Sequence, residues 1–151
     1  MTTKKLHILK HPIKIEVPSD LYFSLLVRDF VKNGLELLGL SSIWVRRLVL
    51  VADELFMNSC KYGSRKTDDT IDVSIRLEKD QAIISVEDSG GDESMNPEKL
   101  LKLMRDNQDN KNLLKSSGRG LAMIMTEWTD TFEVGKSDKG GIKITIYKHI
   151  N

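Results

Sequence analysis

Apolar residues at Ile13, Ile15 and Val17 alternate with polar neighbours up to Pro18, the two-residue period of a strand with one buried face. The period then lengthens. Ser19-Asp20 offers a helix cap, apolar side chains recur at 21, 25, 27, 30, 31, 35 and 38, and Gly39 supplies a stop, which predicts a helix over 21–38. Ser41-Ser42 opens a second helix, from about 43 to 62, stopped by Gly63. Its positions Val45, Leu48, Val51, Ala52, Leu55, Phe56 and Ser59 cover a broad face, as expected of a central packing element buried on more than one side.

Alternation returns at Ile71, Val73, Ile75 and Leu77 and resumes over 82–86 after Lys79-Asp80-Gln81, predicting an antiparallel hairpin. The second strand runs into Glu87-Asp88-Ser89-Gly90-Gly91. The mostly polar stretch 92–117 holds one short helical piece, capped by Asn96-Pro97 and carrying Leu100, Leu101, Leu103 and Met104. Connections of that length in a compact domain act as lids or are disordered. Gly118-Arg119-Gly120 then starts an apolar helix over 121–128, and strands at 132–134 and 142–146 form a last hairpin around Lys139-Gly140-Gly141. The expected architecture is a two-layer α/β sandwich, a mixed and mostly antiparallel sheet with helices on one face, formed by a single domain over 1–151.

Composition narrows the class. At 40% hydrophobic and 30% charged residues the chain reads as an ordinary globular protein, and no apolar run approaches the ~18 residues of a membrane span. The lone Cys60 leaves no intrachain disulfide and fits a reducing compartment, so a cytoplasmic location is expected. A net charge of +1 argues against a whole-molecule attraction to nucleic acid and leaves room for a buried or local basic site. It also hides blocks: +4 over 1–47, −7 over 53–98 and +4 over 99–119. Such blocks are solvated faces or local binding surfaces.

Three constellations carry chemistry. Glu54 and Asn58 stand four residues apart on the second helix, one above the other amid apolar neighbours, as a solvent-facing pair or as groups awaiting a ligand. Asp88-Ser89-Gly90-Gly91 ends a strand, either as an acidic turn or as a carboxylate that accepts from an exocyclic amine while glycine admits a flat ring. Ser116-Ser117-Gly118-Arg119-Gly120 precedes a helix, as a capped glycine turn or as a phosphate cradle of exposed amides.

In this order, with a lid-length segment between the second and third, the sequence resembles the histidine-kinase-like ATPase superfamily of gyrases, chaperones, mismatch-repair proteins and sensor kinases. Within it, the short chain is most similar to bacterial anti-sigma-factor serine kinases, over about 14–148. The resemblance implies ATP and Mg²⁺ as cofactors. It makes Glu54 the base for the attacking hydroxyl, Asn58 the Mg²⁺ ligand, Asp88 the partner of the adenine amine, and Gly90 the residue beneath the ring. Gly118 and Gly120 fall in the phosphate-binding box, Lys115 and Arg119 are within reach of the β- or γ-phosphate, and 92–117 is the ATP lid. The implied partners are a sigma factor, an anti-anti-sigma (STAS-type) protein as serine substrate, and a second copy in a homodimer, with no nucleic acid or membrane. Arg28, Lys32, Arg46 and Arg47 are candidates for an acidic sigma segment. A nucleotide-responsive binding module without kinase activity is the alternative, and a structural domain that has lost nucleotide binding a third.

The sequence departs from the superfamily pattern at Asp92, which stands where a further glycine is usual. Tyr62 replaces a common histidine, and Ile142 replaces a threonine that helps hold adenine. Thr145 should face away from Ile142. His7, His11 and His149 lie outside every motif, so surface positions are expected. Trp44 and Trp128 are expected to pack at the core or its edge, and Cys60 to be a buried, inert thiol.

Overall fold

The computed structural model of the chain describes residues 11–62, 69–90, 96–102 and 127–150. Five strands, β1 (Ile13–Pro18), β2 (Thr70–Glu78), β3 (Gln81–Glu87), β4 (Thr131–Lys136) and β5 (Ile142–His149), form one sheet in the order β1-β2-β3-β5-β4. Every pairing among them is antiparallel. Two helices, α1 (Ser24–Leu38) and α2 (Ser42–Tyr62), cover one face, giving the expected α/β sandwich.

The strand periods decide which face is covered. Ile71, Val73, Ile75 and Leu77 of β2, Ala82, Ile84 and Val86 of β3, and Ile144 and Ile146 of β5 form one apolar layer against the helices. The intervening positions Ser74, Arg76, Ser85, Thr145 and Tyr147 line a concavity of about 500 Å³ on the opposite face. Ile142 packs at the core and Thr145 faces away from it, as the alternation requires. On α2, every position of the broad apolar stripe is buried, so this helix meets both α1 and the sheet. Leu48, Leu55 and Phe56 are fully buried there, each worth about 2 kcal/mol of transfer free energy.

Two expectations fail locally. The helix expected from residue 21 begins with a 3-10 turn, Leu21–Phe23, because Asp20 accepts a hydrogen bond from the Tyr22 amide at 2.9 Å. Only then does α1 start, so Leu21 and Leu25, counted on its buried face, are 57% and 63% exposed. The α1 core stripe is instead Val27, Val31, Leu35 and Leu38, and Gly39 ends the helix at φ 96°. Near the other end, Glu127 and Trp128, expected in a helix, lie in a turn and a bend. The remainder of that segment lies outside the described residues.

Smaller features agree. Asn96 caps the helical piece 97–102, its side-chain oxygen accepting from Lys99 N at 2.8 Å. His11 and His149 are exposed, and Trp44 and Trp128 pack at the core's edge. Among the described residues no helix is long and apolar enough to cross a membrane.

Candidate functional site

One turn of α2 places Glu54 and Asn58 on the same face, and both line a cavity of about 550 Å³. Ser19, Asp20 and Leu21, leading into α1, form its opposite wall, and Met57, Cys60 and Lys61 complete the α2 side. Glu54 is half-buried; burial first, and the neighbouring Asp53 charge second, push its carboxyl above the ordinary 4.5. Asp53 itself is held, accepting from Ser24 Oγ at 2.5 Å with Arg28 Nε at 3.7 Å. Burial, offset by a Ser19 hydrogen bond and reinforced by Asp20, pushes the Cys60 thiol from 9.0 up to about 11. It remains a neutral thiol at physiological pH, but it is half-buried on the cavity wall and not fully buried as expected.

Asn58 is 9% exposed, and its Nδ2 has no hydrogen-bond partner. An orphaned buried donor costs about 1–3 kcal/mol in a folded protein, so such a group marks a place completed by something else. The set fits a Mg²⁺ ion that arrives with phosphates. The Asn58 carbonyl is a hard oxygen donor with the Glu54 carboxylate on the same wall, while the unpartnered Asn58 Nδ2 suits a phosphate oxygen and not the cation.

A second locus lies one residue further along α2. Asp88, directly after β3 and 5% exposed, points to the helix face and meets Ser59. Its Oδ1 accepts from Gly90 N and Ile142 N, both at 3.0 Å, and its own amide donates to Ile142 O at 3.0 Å. Burial pushes the Asp88 carboxyl up, while the Ile142 and Gly90 amides and Ser59 oppose it; burial prevails. A carboxylate offers about four lone-pair sites. Three internal donors leave one for a ligand N–H. Gly90 takes φ 84°, a conformation open to glycine. A Cβ on Gly141 would lie 2.0 Å from Asp88 Oδ1 and 2.2 Å from Gly90 N, so only glycine fits there.

Of the residues singled out from sequence, Glu54 and Asn58 thus share one cavity, and Asp88 and Gly90 form a neighbouring locus joined to it through Ser59. Lys115, Gly118, Arg119 and Gly120 lie outside the described residues, as does all of the 92–117 stretch except 96–102. Sequence reading passed over three residues. Gly141 reads as a hairpin glycine, and its second role appears only once β5 is paired with β3. Ser59 counted as part of the apolar face. Lys61 follows Asn58 by three residues and so shares the cavity, a spacing that could have identified it. Ile142 holds Asp88 through its backbone, which does not depend on the missing threonine hydroxyl.

A family model described as histidine kinase-like ATPase domain matches residues 19–148 of this chain. Among curated proteins, none matches it.

Proposed function

The chain belongs to the histidine kinase-like ATPase family, which implies ATP binding, and on that premise we propose that it is an ATP-dependent protein-serine kinase acting as an anti-sigma factor. In this reading it sequesters a sigma factor, phosphorylates an anti-anti-sigma protein of the STAS type, and works as a homodimer. The observation that carries the kinase reading is the shared cavity of Glu54 and Asn58. It brings a carboxylate of raised basicity beside a buried amide whose nitrogen has no partner.

The adenine lies against Asp88, whose remaining lone pair takes the exocyclic amine, with Gly90 leaving the ring room to approach. Asn58 meets the phosphate end through either end of its amide: the N–H to a phosphate oxygen, or the carbonyl to Mg²⁺. When bound, Mg²⁺ supplies charge neutralisation at the β- and γ-oxygens. Lys61 places a cation on the same wall, alongside the proposed contributions of Lys115 and Arg119 and of the amides near Gly118 and Gly120.

Glu54 accepts a hydrogen bond from the serine hydroxyl of the partner, orients it toward the γ-phosphorus and takes its proton as the seryl oxygen–phosphorus bond forms, while the bond from the γ-phosphorus to the β,γ-bridging oxygen breaks and ADP leaves. Burial makes it a stronger base than an exposed glutamate, and the half-open cavity gives a protein segment access.

Incubation with γ-labelled ATP, Mg²⁺ and candidate partner proteins tests this. Label is expected on a partner serine. Glu54→Gln should abolish transfer while leaving ATP binding largely intact; transfer at the wild-type rate in that variant overturns the role of Glu54. ATP-dependent partner capture without labelling would favour the nucleotide-responsive module.

A further inference from the structure

Lys139 belongs to no motif and does not line the cavity, yet it is tied more heavily than an ordinary turn residue. It sits between β4 and β5, and its ammonium donates to Glu16 Oε2 of β1 at 3.0 Å. It also donates to Thr70 Oγ1 and Asp72 Oδ1 of β2, at 2.6 and 3.0 Å. In the sheet order β3 separates β2 from β5, so Lys139 reaches across β3 to the far half of the sheet. Glu87, the last residue of β3, pins the same turn: its Oε1 accepts from Ser137 Oγ at 2.7 Å and from Asp138 N at 2.8 Å. Ser137 N donates in turn to Gly141 O at 2.8 Å.

Glu87 and Asp88 are consecutive, so they leave the strand on opposite sides. The turn is therefore held from behind by Glu87 and Lys139, while its other side carries Gly141 and Ile142, against which the Asp88 carboxylate rests. The other hydrogen bonds of the turn, Lys139 N to Ser137 Oγ at 2.9 Å and Gly140 N to Ser137 O at 3.0 Å, lie within it and do not tie it to the sheet. Gly140 and Gly141 add no side chains, and Gly140 adopts φ 101°. We propose that Lys139 is a positioning residue for base recognition: by clamping the β4–β5 turn to β1 and β2, it sets the aim of the Asp88 carboxylate at an adenine amine.

This rests on the reading of Asp88 as the adenine partner, and the test separates the two. Dissociation constants for ATP and for inosine triphosphate, which carries a carbonyl oxygen where adenine has its amine, are measured by calorimetry. The proteins are the wild type, Lys139→Met and Lys139→Arg, each with a denaturant midpoint to establish folding. The wild type should prefer ATP. Lys139→Met should lower the ATP-to-ITP preference by about five- to tenfold, the scale of coupling within one hydrogen-bonded network, with little change for ITP. Lys139→Arg should restore most of it. Equal weakening of both nucleotides, or an unchanged ratio in folded Lys139→Met, overturns the positioning role and leaves Asp88 standing. A wild type that takes ATP and ITP alike overturns the reading of Asp88 and this proposal with it. If Lys139→Met does not fold, the double variant Glu16→Met/Thr70→Val, which removes two acceptors of the clamp, is read by the same ratio with the same expectations.

Discussion

The two ends of the proposed nucleotide site are built in opposite ways. At the Asp88 end the carboxylate has three internal donors, the two adjoining glycine positions admit no Cβ without strain or overlap, and the turn behind is clamped to three other strands. At the Glu54 end a buried amide nitrogen has no partner; burial raises both carboxyls, but only that of Asp88 has internal donors opposing the rise. The first end is finished by the chain itself. On the proposed reading the second is left for ligand, cation and partner to finish. In the proposed reading, recognition is pre-organised where a flat base would be discriminated, and polar capacity is held open where charge would be transferred.

The largest expected effect breaks the finished end. Gly141→Ala drives a methyl to within 2.0 Å of Asp88 Oδ1, and the neighbouring obstacle at 2.2 Å is backbone. A loss of about 3 kcal/mol in denaturant unfolding, together with loss of ATP binding, is expected. Gly135→Ala meets nothing within 4 Å and should leave both within about 0.5 kcal/mol. Next comes Glu54→Gln, expected to abolish measurable transfer in single-turnover labelling, a loss of about 10²–10⁴-fold or more, with ATP affinity nearly unchanged.

Asn58→Ala sharpens the contrast because its sign is unusual. Removing a donor that has no partner should cost the free protein less than about 1 kcal/mol, while Mg²⁺-dependent ATP binding weakens tenfold or more. A smaller effect concerns pH. Since only ionised Glu54 can accept the proton, the acid limb of transfer should lie above 4.5. Asp53→Asn, which removes the second cause of the shift, should move that limb down.

The smallest effect is on alkaline stability. The unfolded chain releases the Cys60 proton near 9.0, whereas the folded protein holds it to about 11, so stability falls with rising pH across that window. The raised Lys139 contributes in the same direction, its stabilisation being lost as pH rises through its folded value above 10.5. Cys60→Ala should therefore remove only part of the alkaline loss.

Much of this was legible from periodicity. The strand bounded by Pro18, the long helix with its seven buried positions and the two hairpins follow from apolar spacing alone, because burial of one face is what those patterns encode. Leu21 and Leu25 misled for a local reason: Asp20 bonds to the Tyr22 amide and spends a turn as 3-10 helix before α1 begins. Of the candidate site residues, Glu54 and Asn58 could be paired because they stand four apart on α2, and Asp88 and Gly90 because they stand two apart at the end of β3. Gly141, Lys139 and the Ile142 backbone could not, since each acts on residues some 50 to 120 positions away in sequence, brought near only by strand order.

The most direct test is a calorimetric titration of the wild type and Asp88→Asn with ATP in the presence of Mg²⁺. Saturable one-to-one binding by the wild type, lost or weakened at least tenfold in a folded Asp88→Asn, is the predicted result. Absence of binding by the wild type, or equal binding by both proteins, would contradict the placement of the nucleotide between α2 and the ends of β3 and β5.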